Sequence, residues 1–270
     1  MMFFIIKKLL LHKNILESEA RLKESSLMMQ NTKFITITST IKHSAKTSTA
    51  IGLVISLVTE GYKVLYLGFD NKYNALPNFE DDADLVKDYI LEKIILERAI
   101  RHFYSFYPFD MLNINADLVK LFKNATDKQQ ARIISKLFKD IKAERYHYVV
   151  IDLNYKDKPV HNTIVKLSDH CFYTINVKRY EEEKNHLDIN SFLTVVPKKE
   201  HVKLLVVQFN RFMVDHHKFI ENLKYIYGDF VFDYQIDSSR TMRNRIDHAY
   251  NYLRVNKLCT PIKKYIIESK

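Results

Sequence analysis

Glycine is scarce in this chain, with only 4 among 270 residues, where an average protein would carry about 7%. Its two cysteines, Cys171 and Cys259, lie far apart and without CxxC spacing, which argues against a disulfide framework or a zinc site. No apolar run approaches the roughly 20 residues needed to span a bilayer. These absences favour a globular protein of a reducing cytoplasm.

What is present indicates one large folded domain. Hydrophobic residues make up 47% of the chain and aromatic residues 13%, which excludes a disordered protein. The net charge of +10 favours polyanionic partners, either nucleic acid or anionic lipid headgroups. The basic residues are spread along the chain, however, so an ordinary solvated basic surface is the favoured interpretation.

The first 30 residues differ from the rest. They begin MMFFIIKKLLLHK, in which Lys7 and Lys8 interrupt two apolar blocks. We interpret residues 1–30 as a helical lead-in that either lies in a membrane interface or packs against the domain or a partner protein. Residues 31–270 are then one folded domain, without an obvious linker or internal repeat.

Strand patterns alternate with helix patterns through residues 31–270. This order predicts an α/β fold: a mostly parallel, twisted sheet with helices on both faces. The predicted strands are Phe34–Thr38, Lys63–Phe69, Tyr146–Asp152, Phe172–Val177, Lys203–Phe209 and Asp229–Tyr234. The predicted helices are Lys46–Glu60, closed by Gly61, one long helix over 81–106, and one from Asn115 or Asp117 to about Lys142.

A loop between the first strand and first helix has the layout of a phosphate-binding loop. In the pattern GxxxxGK[ST], Lys46 and Thr47 take the final two positions, while Thr40 and Ala45 replace the glycines. Backbone amides at such a helix start bind phosphate. Lys46 would then reach the outer phosphates, and the hydroxyl of Thr47 would bind Mg²⁺. The predicted cofactor-binding residues are Lys42, His43, Ser44, Ala45, Lys46, Thr47 and Ser48.

Three further polar positions follow predicted strands. Asp70 ends the second strand, Asp152 ends YVVID, and the pair Asn210-Arg211 follows KLLVVQF. Ligands of open α/β sheets bind at the carboxyl edge of the strands. Asp152 is therefore predicted to orient Mg²⁺ together with Thr47, and Asn210 and Arg211 to contact the nucleotide base.

The two segments TSTIKHSAKT and GYKVLYLGFD resemble the ParA/MinD superfamily of deviant Walker ATPases, including its CpsD-like bacterial tyrosine-kinase branch. The resemblance implies ATP and Mg²⁺ as cofactors and a homodimer. It also implies that Asp70 activates the attacking water and that Asp152 is the Walker B acid, so that Asp70 and Asp152 are the catalytic candidates.

Several positions depart from the family pattern and indicate a degenerate member. His43 and Ala45 replace loop glycines, and Gly68 replaces the first acid of the D-x-D pair. Ile41 stands where partition ATPases carry a lysine that crosses the dimer interface. Tyr265 is a single tyrosine where the kinase branch carries a C-terminal cluster.

The resulting hypothesis is a degenerate ATP-binding protein that positions or assembles a membrane-associated or DNA-associated bacterial machine, with weak or no ATP hydrolysis. It would be cytoplasmic, or peripheral at the inner face of the membrane. Two alternatives stay open: an active ATPase or CpsD-like tyrosine kinase in polysaccharide export, and a DNA-partition ATPase that binds duplex non-specifically.

Overall fold

The computed structural model describes most of the segment assigned to the domain. The described ranges are 31–41, 44–69, 83–103, 108–114, 125–154, 158–180, 182–196, 199–237 and 249–269. The predicted lead-in, residues 1–30, lies outside them. So do three candidate site residues, Lys42, His43 and Asp70.

Within the described ranges, eight strands form one sheet in the order β3-β4-β2-β5-β1-β6-β7-β8. They are β1 Lys33–Ser39, β2 Val64–Phe69, β3 Arg101–Phe103, β4 Phe109–Asn113, β5 Tyr148–Asn154, β6 His170–Asn176, β7 Val202–Phe209 and β8 Ile236–Asp237. Neighbouring strands run parallel except for β3, which is antiparallel to β4. The predicted mostly parallel α/β sheet is confirmed.

The described helices cover both faces of this sheet. They are α1 Lys46–Val58, α2 Ala83–Ile90, α3 Leu96–Ala99, α4 Asp127–Ala143, α5 Lys158–Leu167, α6 Glu182–Val195, α7 Val214–Tyr227 and α8 Ala249–Glu268. One hydrophobic cluster joins the sheet to α2 to α7, and the other joins it to α1 and α8. None of the helices in the described ranges is long and apolar enough to cross a membrane.

Successive residues of β1 show that this strand is covered on both faces. Phe34 of β1 belongs to the first cluster and Ile35 to the second, because adjacent side chains of a strand point to opposite faces. Every residue of β1 after Lys33 is buried, and so is all of β2. A strand covered on both faces needs apolar residues at both alternations.

The prediction of one long helix over 81–106 is wrong. Helix α2 ends at Ile90, α3 covers only Leu96–Ala99, and Arg101–Phe103 is a strand. Glu92 has φ 58°, and the amides of Glu92 and Lys93 bond to the carbonyls of Tyr89 and Asp88. This is the Schellman helix end, normally marked by glycine. Because glutamate fills the left-handed position, the sequence carries no stop signal.

The strand predicted over Asp229–Tyr234 is also wrong. Gly228–Phe230 is a 3₁₀ turn, Val231 forms a single bridge to Leu204, and the edge strand is Ile236–Asp237. Val231, Phe232 and Ile236 are buried, so the apolar residues that suggested a strand here pack into the core instead of forming a long strand.

Two further differences concern the segment before β5. Strand β4, Phe109–Asn113, was not predicted, because it is a five-residue run next to a proline. Helix α4 begins at Asp127, where Thr126 and Gln129 form a capping box. The predicted starts at Asn115 and Asp117 lie outside the described residues.

Candidate nucleotide site

The structure brings two of the predicted site residues into contact. The hydroxyl of Thr47, in the first turn of α1, donates a hydrogen bond of 2.5 Å to Oδ2 of Asp152 on β5. The Asp152 side chain is fully buried, although 105 residues separate the pair in sequence. Strands β1 and β5 are paired in parallel, so the helix that follows β1 starts beside the end of β5.

Ala45 gives the loop its turn into α1. It has φ 56° and ψ 24°, the left-handed conformation, and its carbonyl accepts the first helical bond, from the amide of Thr49. Glycine normally takes such a conformation, which costs another residue about 1–2 kcal/mol. The backbone therefore keeps the left-handed turn that a glycine would supply, and Lys46 begins the helix directly after it.

Ser44 lies immediately before this turn and is almost completely buried. Within the described part of the chain its hydroxyl has no hydrogen-bond partner. Buried hydroxyl groups are usually bonded, since burying one without a partner costs free energy. Ser44 is therefore a polar group at the helix start that a bound anion could satisfy.

The beginning of the loop is attached to the body of the domain. The hydroxyl of Tyr173 on β6 accepts a 3.2 Å bond from the amide of Thr40 and also contacts the Thr40 hydroxyl. The amide of Ile41 donates to Oγ of Ser39. The Ile41 side chain is buried in the first hydrophobic cluster. The position at which partition ATPases carry their cross-subunit lysine is therefore a core position in this chain.

Tyr66 of β2 is a residue that the sequence did not reveal. Its hydroxyl donates a 3.1 Å hydrogen bond to Oδ2 of Asp152, the same oxygen that Thr47 contacts. Register explains the contact: Val150 pairs with Tyr66, and Asp152 pairs with Gly68. The available signal was a tyrosine two residues before Gly68, where the family pattern has an acid. Within an apolar run, however, such a tyrosine looks like an ordinary core residue.

Asn210 and Arg211 occupy a turn after β7. Oδ1 of Asn210 accepts a hydrogen bond from the backbone amide of Phe212. The backbone amide of Asn210 donates one to Nδ1 of His216. The guanidinium of Arg211 lies 5.0 Å from the Phe212 ring centre. The turn lies at the carboxyl edge of the sheet, but β6 separates β7 from β1. A base contact by Asn210 and Arg211 stays a prediction.

Thr47 and Asp152 fit the kind of metal that the sequence predicts. Mg²⁺ prefers oxygen ligands and typically takes one or two carboxylates, with phosphate and water completing its shell. A hydroxyl and a carboxylate already in contact supply two such oxygens. The described residues contain no group of three or more histidine, cysteine or acidic side chains that could hold a metal without a nucleotide.

Comparison with known proteins identifies the family. The model of the AAA_31 family, described as an AAA domain, matches residues 32–227. The chain belongs to this family. That assignment, together with the fold, confirms the resemblance to ParA/MinD-like P-loop ATPases. No curated protein sequence gives a significant match.

Among the solved structures that share this fold are three with a bound nucleotide. A plasmid partition protein from Borrelia burgdorferi B31, bound to AMPPNP, is 18% identical, with a TM-score of 0.66 over 88% of this chain and 100% of that one. An ATP complex of a McdA variant from Cyanothece is 14% identical, with a TM-score of 0.71 and coverage of 89% and 98%. Cobyrinic acid a,c-diamide synthase from Mycobacterium smegmatis, with ADP and magnesium, is 15% identical, with a TM-score of 0.64 and coverage of 88% and 97%.

Proposed function

We propose that the chain binds ATP and Mg²⁺ and acts as a positioning or assembly factor for a membrane-associated or DNA-associated bacterial machine, with weak or no ATP hydrolysis. The contact between Thr47 and Asp152 carries the proposal. It places the predicted metal ligands together at the start of α1, directly after the left-handed turn at Ala45. ATP, ADP or AMPPNP accompany three structures of the same fold.

The residues of the candidate site would bind different parts of Mg²⁺-ATP. Backbone amides at the start of α1 and the Lys46 ammonium would hold the phosphates, because both present positive charge to an anion. Thr47 and Asp152 would hold Mg²⁺, which neutralises phosphate charge when bound. The proposed weakness of hydrolysis rests on Gly68, which leaves only Asp70 of the D-x-D pair to assist an attacking water.

Calorimetry with ATP, in the presence and absence of Mg²⁺, tests the binding proposal. We expect ATP to bind more tightly with Mg²⁺ and expect Thr47→Val to lose that gain, because valine keeps the shape of threonine without its hydroxyl. Thr47→Ser retains the hydroxyl and is the matched control. Undetectable ATP binding by a folded wild-type protein would refute the proposal.

Turnover distinguishes the proposal from the active-enzyme alternative. We expect phosphate release near background in the wild type. Robust ATP turnover that disappears in both Lys46→Ala and Asp152→Ala would instead favour an ATPase or a CpsD-like tyrosine kinase. Phosphotyrosine formation on the chain would separate the kinase from the ATPase.

A DNA-partition ATPase is a second candidate, supported by the net charge of +10 and by the fold shared with a Borrelia plasmid partition protein. Partition by this route requires non-specific binding of duplex DNA that weakens steeply as salt rises. Binding to an arbitrary duplex should be titrated at increasing salt concentrations. Salt-insensitive or undetectable binding would exclude this candidate.

We also propose a homodimer and a cytoplasmic location, peripheral at the inner face of the membrane if residues 1–30 bind lipid. Because Ile41 is buried in the chain's own core, such a dimer would not use this position as partition ATPases use their lysine. Sedimentation with and without ATP tests the dimer. Flotation of the full chain with anionic vesicles tests lipid binding, and loss of flotation after deletion of residues 1–30 would assign it to that segment.

A further inference from the structure

The missing acid at Gly68 has a structural counterpart on the neighbouring strand. Gly68 of β2 pairs in register with Asn113 of β4 on one side and with Asp152 of β5 on the other. Paired residues of parallel strands point to the same face of a sheet. Asn113, Gly68 and Asp152 therefore form one row across three strands, close to the carboxyl edge where the nucleotide site lies.

The Asn113 side chain fills the space that a side chain at position 68 would occupy. A Cβ atom added to Gly68 would lie 2.6 Å from Oδ1 of Asn113 and 3.2 Å from Cε1 of Tyr66. The first distance is shorter than real Cβ contacts, so an aspartate at position 68 would displace the Asn113 amide. Because Gly68 has no side chain, the Asn113 oxygen can occupy the space in which the family pattern places an acid.

The Asn113 oxygen lies over β2, the strand between those that carry Asn113 and Asp152. Two strands of a sheet that flank a third are about 10 Å apart, too far for ordinary side-chain contact. Since Gly68 has no side chain, the Asn113 amide leans over it toward β5. On the same side, the Tyr66 ring approaches Gly68 and its hydroxyl bonds Asp152. An amide and a phenol therefore stand where the family pattern has an acid.

We propose that Asn113 takes over the role of the absent acid, with its side-chain amide holding the water shell of the Mg²⁺ bound at Thr47 and Asp152. This inference rests on the proposed function. A neutral amide accepts hydrogen bonds from metal-bound water as a carboxylate does, but it cannot accept a proton. The exchange therefore keeps metal positioning while removing a base, which agrees with binding without efficient hydrolysis.

Asn113→Leu and Asn113→Asp test this role by calorimetry with ATP, with and without Mg²⁺. Leucine has the branching and the number of side-chain heavy atoms of asparagine but cannot bond water. We therefore expect the Mg²⁺-dependent gain in affinity to fall about tenfold, as when other outer-shell partners of metals are lost. Affinity for metal-free ATP should change less than about twofold. Asn113→Asp should retain the gain. If Asn113 served only in strand packing, the Mg²⁺-dependent gain in ATP affinity would be unchanged in both variants.

A second measurement tests the geometry without any nucleotide. Gly68→Ala should lower the melting temperature in the wild-type background, because its methyl group meets the Asn113 amide. The same substitution should be tolerated better in an Asn113→Gly background, where that amide is absent. Equal effects in both backgrounds would overturn the close approach.

The outcomes separate this inference from the function on which it rests. If the folded wild type binds no Mg²⁺-ATP, the proposed function fails, and the role of Asn113 fails with it. If the wild type binds Mg²⁺-ATP and Asn113→Leu keeps the full Mg²⁺-dependent gain, only the role of Asn113 is overturned.

Discussion

Tyr173 on β6 fixes the start of the candidate phosphate loop at Thr40, 133 residues earlier in the chain. Its buried hydroxyl meets both the amide and the hydroxyl of Thr40, and its ring packs against Phe192 with ring centres 5.0 Å apart. The loop is therefore attached to the sheet by a side chain from a strand beside β1. A loop held in this way needs little rearrangement to receive a ligand.

Removing this hydroxyl should loosen the loop without disturbing the core. We expect Tyr173→Phe to lower the free energy of unfolding by about 1 kcal/mol, the usual net contribution of a hydrogen bond, because the phenylalanine ring keeps the packing against Phe192. Urea denaturation measures the change. Tyr225→Phe, at a position where 92% of the side chain is exposed, is the control and should have no effect. A Tyr173→Phe protein as stable as wild type would contradict the attachment.

The left-handed turn at Ala45 predicts an order of stabilities at that position. Glycine adopts this conformation freely, alanine with some strain, and β-branched residues with more. We expect Ala45→Val to lower the free energy of unfolding by at least about 1 kcal/mol relative to Ala45→Gly. Thermal melting of the three proteins gives the order. Valine as stable as glycine would show that the turn is not left-handed.

The glutamate at the end of α2 makes a similar prediction on an exposed surface. Glu92 has φ 58°, so we expect Glu92→Gly to stabilise the protein by about 1 kcal/mol. Lys87→Gly, at an exposed position inside the same helix, should cost about 1 kcal/mol, because glycine weakens helix interiors. Changes of the same sign in the two variants would refute the assignment of the helix end.

His161 should make stability depend on pH. Burial lowers its pKa from 6.5 to about 4, and its Nε2 lies 3.2 Å from the hydroxyl of Thr38. Between these values the unfolded chain binds a proton that the folded protein excludes, so stability is complete above pH 6.5 and falls as the pH drops toward 4. The full difference corresponds to about 3 kcal/mol.

Urea denaturation at several pH values measures this effect. His161→Gln cannot titrate and should weaken the dependence between pH 6.5 and 4. Part of the dependence should remain, because burial also lowers the pKa of His147 and His216. His217→Gln, at an exposed position of α7, is the matched control. An unchanged slope in His161→Gln would assign the acid sensitivity to other groups.

Neither cysteine should react in the folded protein. Cys171 and Cys259 are buried, and burial raises the pKa of both thiols to about 12, so the reactive thiolate is scarce at neutral pH. We expect a thiol reagent such as DTNB to label neither residue in buffer and both in denaturant. Rapid labelling of one thiol in buffer would show that its helix, or the strand that carries it, opens readily.

Much of the fold was readable from the sequence because the strands are buried on both faces. The apolar runs of β1, β2, β5, β6 and β7 were recognised within about two residues of their observed bounds. The wrong or missing predictions concern segments whose structure depends on contacts with the rest of the domain. The end of α2 lies at Glu92 rather than at a glycine, and β4 is a short strand whose pairing with β2 depends on the assembled sheet.

The residues of the candidate site also differ in whether the sequence alone could predict them. Lys46, Thr47 and Asp152 could be proposed from motif spacing, because a strand, a loop and a helix in that order place such residues at one edge of a sheet. Tyr66 and Tyr173 could not, since each contacts the loop or Asp152 from another strand. The approach of Asn113 to Gly68 could not be predicted either. Their contacts depend on strand order and register, which no local pattern contains.

The amino-acid sequence by itself determined the alternation of strands and helices, the phosphate-loop spacing and the two carboxylates proposed for the site. These are properties of residues near one another in the chain, governed by periodicity and by turn chemistry. Only the tertiary structure decided that Ala45 takes the left-handed turn, that Thr47 meets Asp152, and that Asn113 fills the space above Gly68. Such contacts join residues more than 40 positions apart or depend on a backbone angle, and the packing of the whole domain fixes both.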